Sequence, residues 1–310
     1  MENCPGILIV GYGFHVENKI LPAIKCLGIP MLGIVSSNKN IPISVRSFKN
    51  LNEVSKSFKP SHIFLATNPL KHLKLIKEAS AISKNILVEK PIVIQKPNFL
   101  NSKNIKMLKV SIKEGMMYRY NVLNNYLEKK RKVFKDYKKI EIKFILPTES
   151  INNKKSFRSI NNFKDSMIYD VGCYIYDFIW NFKLCSKDLI INEMLNFENG
   201  HVKFISLKSH KNYENLINIE FGYGKSYRNE VNLLSRYNIN YKLSPFFYGR
   251  ESQVIVNINK DKKNFQKFYE NKNCFVEMIS EWYLSKQTQT QNELSNFKRI
   301  SFIQNALNKL

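Results

Sequence analysis

The sequence predicts two architectures in succession: an α/β domain built on a doubly wound parallel sheet, then an α+β domain with an open, mainly antiparallel sheet. Three observations carry this. Over residues 1–121 short apolar runs alternate with helical patterns; those runs are continuously apolar, as in strands covered on both faces; and beyond them the runs switch to strict apolar–polar alternation, the mark of strands with one wet face. A chain of 310 residues divides comfortably into domains of 1–121 and 122–310, each able to bury its own core.

Taken in order, "GILIVGYG" (6–13) reads as the first buried strand, and the amphipathic stretch through "ILPAIKCLG" as a helix. "PMLGIVSS" (30–37) is the second strand, followed by "PISVRSF" and a short helix around "LNEVSKSF". The strand "HIFLATN" (62–68), the helix "LKHLKLIKEASAIS" and the strand "NILVEKP" complete the βαβ rhythm. In the second half "KKIEIKFIL" (138–146), "VKFISLK" (202–208), "LINIEFG" (216–222) and "SQVIVNI" (252–258) alternate, and "SMIYDVGCYIYDFIWNF" (166–182) has helical apolar spacing.

The formal charge of +24, from 49 Lys and Arg against 25 Asp and Glu, raises the question of a polyanionic partner. The lysines are spread through almost every segment beside abundant Asn and Ile, which is a compositional bias with a solvated surface, so neither nucleic acid nor membrane is an expected partner. Five cysteines, Cys4, Cys26, Cys173, Cys185 and Cys274, are widely spaced without a C-x-x-C pair, which points to a reduced, cytoplasmic protein without a metal centre. No apolar run is long enough to span a bilayer.

Gly11 and Gly13 stand directly after the first strand and before a helix, the context a dinucleotide-binding turn requires. Gly11 permits the tight turn, Gly13 lets backbone approach a pyrophosphate, and the helix start supplies unpaired N–H groups; Phe14 and His15 lie on that start. The third position of the G-x-G-x-x-G pattern holds Val16, so the motif is incomplete, and a βα turn without ligand is the alternative. The end of the second strand offers Ser36, Ser37, Asn38 and Lys39 with no carboxylate to take a ribose 2′-hydroxyl, which favours NADP over NAD.

One further stretch stands out. "ILVEKPIV" (86–93) is a buried-type strand that ends on Glu89, Lys90 and Pro91. Together with "ATNPLKH", which holds Thr67, Asn68, Pro69 and His72, with "GYGFHVENKILPAI", with "GMMYRYN" (115–121) and with "FRSINNFKDSMIYDVGCYIYDFIW", it resembles the Gfo/Idh/MocA oxidoreductases, the glucose-fructose oxidoreductase and inositol dehydrogenase group, over most of residues 6–182. The sequence departs from the family pattern at Val16, at the transposed Asn68-Pro69, and at "KDSM" (164–167), where relatives often carry a run of glycines.

The resemblance implies a Rossmann domain over 1–121 and a substrate-binding and oligomerisation domain over 122–310. It implies a cofactor, NADP or NAD, held by Gly11, Gly13, Phe14, His15, Ser36, Ser37, Lys39, Thr67, Asn68, Pro69, His72, Glu89 and Lys90. It also implies a cis Lys90–Pro91 bond, Tyr174 as acid/base and Asp170 as its companion. In a parallel sheet ligands collect at the carboxyl ends of strands, where Lys90 stands. Asp170, Tyr174 and Asp177 are spaced i, i+4 and i+7, so a continuous helix would project them from one face. A phenol with a pKa of about 10 needs a nearby cation to work near neutrality, and Lys90 is the candidate. Hydride would pass between nicotinamide and a carbinol carbon of a sugar, sugar nucleotide or similar polyol, with Arg119 and Arg158 as further substrate contacts.

Each residue has a plainer alternative: Tyr174 a packing aromatic, Lys90 a surface lysine, His15 and His72 helix residues, Arg119 and Arg158 strand residues, Cys173 a small core side chain. At the level of the whole protein the alternatives are a biliverdin reductase-like or dihydrodiol dehydrogenase-like reductase, and a non-catalytic cofactor-binding or scaffold relative. An open sheet with an uncovered face suits a homodimer or homotetramer.

Overall fold

The structure, a computed structural model, describes residues 3–38, 40–92, 110–130, 137–151, 166–184, 189–209, 216–285 and 290–310. The chain forms two compact units: Met1–Met116 with Phe275–Gln304, and Met117–Cys274 with Asn305–Leu310. The sequence places the whole of 122–310 in the second domain; instead, most of the C-terminal region returns to the first unit. The cause is burial. Ile300 is 2% exposed within the first unit's core, and Trp282 packs on His62 and Phe64 with ring centroids 5.0 and 6.5 Å away. No short-range pattern announces such a return.

In the first unit, β1 (Asn3–Val10), β2 (Met31–Val35), β3 (Ser47–Phe48), β4 (Lys59–Leu65), β5 (Asn85–Glu89) and β6 (Ser111–Gly115) form one sheet in the order β3-β2-β1-β4-β5-β6. Every pair is parallel. The order reverses between β1 and β4, so the switch point of the sheet lies beside the glycine turn. The consecutive residues Ile7, Leu8 and Ile9 are all 0% exposed, which means both faces of β1 are covered; each such side chain contributes roughly 2 kcal/mol by leaving water. Asn50 caps the helix Leu51–Ser57 by accepting the Glu53 N–H at 3.0 Å.

In the second unit, β7 (Tyr137–Pro147), β8 (Leu189–Asn196), β9 (Val202–Ser209), β10 (Leu216–Gly224), β11 (Arg228–Ser235), β12 (Asn240–Ser244), β13 (Ser252–Lys260) and β14 (Lys263–Asn271) form a sheet ordered β14-β13-β12-β11-β7-β10-β9-β8. All its pairs are antiparallel except β7 with β10. The alternation in β7 works as expected: Ile140, Ile142 and Phe144 are buried, while Lys143 on the opposite face pairs with Glu220 of β10 at 3.0 Å. Strands β8, β11, β12 and β14 escape the sequence reading. The polar β14, "KNFQKFYEN", lies at an edge with nearly all its side chains exposed, so it carries little apolar signal.

His62 on β4 is 9% exposed, its ring set against Trp282 and Tyr283, and burial lowers its pKa to about 4. The unfolded chain, with an ordinary imidazole near 6.5, takes up the proton first. Folding stability is therefore expected to fall as pH drops from about 6.5 towards 4, by about 3 kcal/mol in all, and to level off below that. Urea unfolding across this pH range checks it: His62→Phe should flatten the slope, and a slope unchanged by the substitution would refute the assignment.

Among the described residues no helix is long and apolar enough to cross a membrane. Cys4, Cys26, Cys173 and Cys274 are free thiols, and Cys185 lies outside the described residues.

Candidate functional site

The first cluster of predicted residues gathers at the carboxyl ends of β1, β2, β4 and β5 in the first unit. Gly11 takes φ +100°, donates its N–H to Val35 O at 2.8 Å, and lies so close to β4 that a Cβ would sit 2.4 Å from Ala66 O. Only glycine fits there. Gly13 has the opposite surroundings: nothing comes within 4 Å of where its Cβ would be. Gly11 therefore closes the strand ends on each other, and Gly13 leaves the turn open. Glu17 N–H then bonds Gly13 O at 3.0 Å to begin the helix.

That helix starts wide. Residues Val16–Ile20 form a π-helical turn, in which Leu21 N–H reaches back five residues to Val16 O, before the α-helix Leu21–Cys26. Pro22 explains the detour, since it has no N–H to give and its ring pushes away the carbonyl four residues back. Val16, buried at 1%, occupies the position where the motif has its third glycine. Asn38 is a residue whose part the sequence does not disclose. Its Nδ2 donates to Tyr12 O at 3.1 Å and its N–H to Ser36 Oγ at 3.0 Å, latching the glycine turn onto the end of β2. Ser37 is exposed, and Lys39 lies outside the described residues.

At the end of β4, Asn68 Oδ1 accepts Leu70 N–H at 3.0 Å and so caps the turn Pro69–Lys71. Thr67 Oγ1 is buried, with no hydrogen-bond partner among the described residues, beside the Gly11 turn. A buried hydroxyl without a partner costs free energy, so this one is suited to a bound polar group. His72 does not fit the expectation of direct cofactor contact. It is 0% exposed, with Nδ1 3.1 Å from Pro91 O and Nε2 3.0 Å from Thr67 O, so it sits between two strand-end turns, and the single N–H of its neutral ring can bond one carbonyl or the other. Burial holds its pKa below the usual imidazole value, against the pull of both carbonyls and of Glu89. Pro69 is likewise buried, whereas Phe14 is 75% exposed on the open side of the glycine turn.

The Lys90–Pro91 bond is cis, as the family resemblance implies. Three groups fix the turn around it: His72 on Pro91 O, Glu114 Oε1 accepting Ile92 N–H at 2.8 Å, and Glu89 Oε2 accepting Lys90 N–H at 3.3 Å. Glu114 is in turn held by Arg299 Nη1 at 3.0 Å, with side-chain exposures of 1% and 6%. Neither Glu114 nor Arg299 stands in any local motif; they are 185 residues apart, and only the fold pairs them. Burial pushes the Glu89 carboxyl up, but His15, with Nε2 2.8 Å from Glu89 Oε1, and then Lys90 and His72 outweigh it, so Glu89 is held below the usual carboxylate range.

The second cluster lies in the second unit. The helix expected over 166–182 is two segments, Ser166–Asp170 and Gly172–Asn181, joined through Val171. A Cβ on Gly172 would meet Leu307 Cδ2 at 2.8 Å and Phe221 Cε2 at 3.1 Å, which accounts for a glycine in the D-x-G pattern: the helix lies directly on β10. Asp170 and Tyr174 are 4% and 6% exposed. The Tyr174 ring meets Tyr118 and Phe144 edge-on, at 5.7 and 5.5 Å.

Asp177 and Arg119 depart from expectation. Asp177 is 0% exposed and accepts hydrogen bonds from Tyr118 Oη at 2.7 Å and from Arg119 Nε and Nη2 at 2.7 and 2.9 Å. One edge of the Arg119 guanidinium, its Nε and Nη2, is thus committed to structure rather than offered to a substrate. Tyr176, on the same helix, is pushed up by burial and stays protonated. Cys173 is buried with its Sγ 3.5 Å from Asp170 O, a packing residue. Arg158 lies outside the described residues.

No family model matches this chain, and no curated protein matches it in sequence. Solved structures do resemble it. A variant of KijD10, a 3-ketoreductase from Actinomadura kijaniata in complex with TDP-benzene and NADP, superposes at a TM-score of 0.80 with 12% identity, covering 99% of this chain and 97% of that one. The dehydrogenase MviM from Clostridium difficile gives 0.72 with 15% identity and 98% of each chain. The UDP-N-acetylglucosamine 3-dehydrogenase GnnA from Acidithiobacillus ferrooxidans gives 0.69 with 10% identity, over 100% of this chain and 97% of that one. At such identities the likeness establishes the fold, a parallel Rossmann-type unit and a mainly antiparallel one, along essentially the whole chain.

Proposed function

We propose that the chain is an NAD(P)-dependent oxidoreductase of the Gfo/Idh/MocA type, acting on a sugar, sugar nucleotide or similar polyol. The observation that carries this reading is the cradle at the switch point: an open Gly13, a Thr67 hydroxyl with no partner among the described residues and the Lys90 turn, all at the carboxyl ends of neighbouring strands. These residues fit a dinucleotide. Gly11 and Gly13 would pass beneath its pyrophosphate, Ser36 and Ser37 would face the adenosine ribose, and Thr67 would satisfy its hydroxyl on the bound group. The absence of a carboxylate at Ser36, Ser37 and Asn38 leaves room for a 2′-phosphate, in favour of NADP. The 3-ketoreductase relative was crystallised with NADP, including variants at one lysine and one tyrosine, which supports the reading.

The bound nicotinamide would supply or accept the hydride. Lys90 would place its ammonium beside the substrate oxygen and stabilise the charge that develops there. Tyr174, with Asp170 beside it in sequence space, would give or take the hydroxyl proton. Calorimetric titration with NADPH and NADH, followed by a panel of nucleotide-linked keto sugars monitored by nicotinamide absorbance, tests the reading. Binding with turnover is expected; no binding of either cofactor would end it.

The two glycines make a sharper test. Gly13→Val should fold normally and weaken NADPH binding by about tenfold or more, because the added methyls fill the space left for the pyrophosphate. Gly11→Ala should instead lower stability by about 1–3 kcal/mol, because its Cβ strikes backbone at a positive φ. Fluorescence titration and thermal unfolding of both variants separate the two effects; equal NADPH affinity in Gly13→Val and the wild type would contradict the assignment.

A further inference from the structure

His15, on the glycine turn, reaches the Lys90 turn with its side chain. Its Nε2 lies 2.8 Å from Glu89 Oε1, and its side chain is 41% exposed. Nδ1 makes no hydrogen bond among the described residues, and the ring rests edge-on against Phe275, 5.4 Å away. The other oxygen of Glu89 accepts the backbone N–H of Lys90. One carboxylate, 14% exposed, therefore joins the residue after the glycine turn to the residue proposed to carry the chemistry.

The basic groups around that carboxylate can be named. From its own turn comes Lys90, from the helix His72–Ser80 comes His72, and from the glycine turn comes His15. The neighbouring strand β6 presents Gly115, 3.5 Å from Oε1 as measured from the Cβ it lacks, and the helix Cys274–Leu284 presents Phe275 to His15; both are uncharged. Glu114 turns away, to Ile92 N–H and Arg299. His15 is the only exposed member of this group of bases that sits on the turn where a pyrophosphate would lie, and an imidazole has two nitrogens with which to face two anions.

We propose that His15 is a positioning residue for Lys90: by neutralising Glu89 it couples the charge of the Lys90 turn to occupation of the glycine turn. The proposal rests on the reading of Lys90 as the working cation. With His15 in place, one oxygen of Glu89 is taken by the imidazole and the other by the backbone N–H of Lys90. Without it, Glu89 binds the ammonium alone and holds it more tightly in the charged form and away from substrate.

The test compares His15→Ala, His15→Gln and Glu89→Gln, singly and with Glu89→Gln combined with His15→Ala. Lys90 is followed by carbon NMR of the reductively methylated protein, its signal assigned by its loss in Lys90→Met. In His15→Ala the Lys90 titration midpoint should rise by roughly half a unit to one unit, and turnover at neutral pH should fall about tenfold with NADPH affinity changed less. His15→Gln, which keeps a donor but no charge, should show the same midpoint rise. In the Glu89→Gln background His15→Ala should leave the Lys90 midpoint unmoved. A midpoint unmoved by His15→Ala, or a midpoint shift by His15→Ala that persists without Glu89, would overturn the coupling. Wild-type protein that binds no NADPH would sink the oxidoreductase reading separately, and the NMR titration would still decide the coupling itself.

Discussion

Lys90→Met is expected to reduce turnover by about 10²–10⁴-fold while the protein folds and binds NADPH with affinity within a few-fold of the wild type. The loss should fall mainly on catalysis because the bonds described above to the turn's backbone come from other groups. His72 grips Pro91 O, Glu114 grips Ile92 N–H, and Glu89 accepts the Lys90 backbone N–H, which methionine also has. Nor is Glu89 abandoned when the ammonium goes, since His15 remains at 2.8 Å. Methionine keeps the length and apolar stem of lysine and removes only the charge. Steady-state rates, thermal unfolding and NADPH titration on the same preparation make the comparison. Full turnover in this variant would remove Lys90 from the chemistry.

The largest stability effect is expected at a residue outside every motif. Glu114→Ala should cost about 3–5 kcal/mol, because it leaves the Arg299 guanidinium, 6% exposed, without its carboxylate and Ile92 N–H without its acceptor. The loss should appear as a lower urea midpoint. Because a buried ion pair is often replaceable by apolar groups of similar volume, Glu114→Met combined with Arg299→Met should recover part of what either single change loses. Activity should fall even at temperatures where Glu114→Ala stays folded, since the Lys90 turn loses one of its three anchors. A single Glu114→Ala variant as stable as the wild type would show that this pair does not hold the C-terminal segment in the first unit.

What the sequence disclosed and what it hid divide along physical lines. The strands around Ile7–Ile9, Ile63–Leu65 and Ile86–Val88 announce themselves because burial on both faces demands continuous apolar residues. Gly11 and Gly13 were legible as a turn, but that one closes the strand ends and the other opens a space follows only from their neighbours. Asp177 and Tyr174 share a helix and a polar character in the sequence. Only packing shows that the former is consumed by Tyr118 and Arg119, both close by in the same unit. Glu114 and Arg299 could not be read at all, since a pair formed across 185 residues leaves no local trace. His15 was visible as part of the turn and not as the partner of Glu89, for the same reason.

The account stands or falls most directly on deuteride transfer. NADPH carrying deuterium at the nicotinamide C4 is mixed with nucleotide-linked keto sugars, and the products are weighed by mass spectrometry. The account predicts one deuterium on the new carbinol carbon in the wild type and incorporation slowed about 10²–10⁴-fold in Lys90→Met, although both bind the cofactor. NADPH binding without transfer to any member of the panel, or transfer undiminished by the Lys90 substitution, would contradict it.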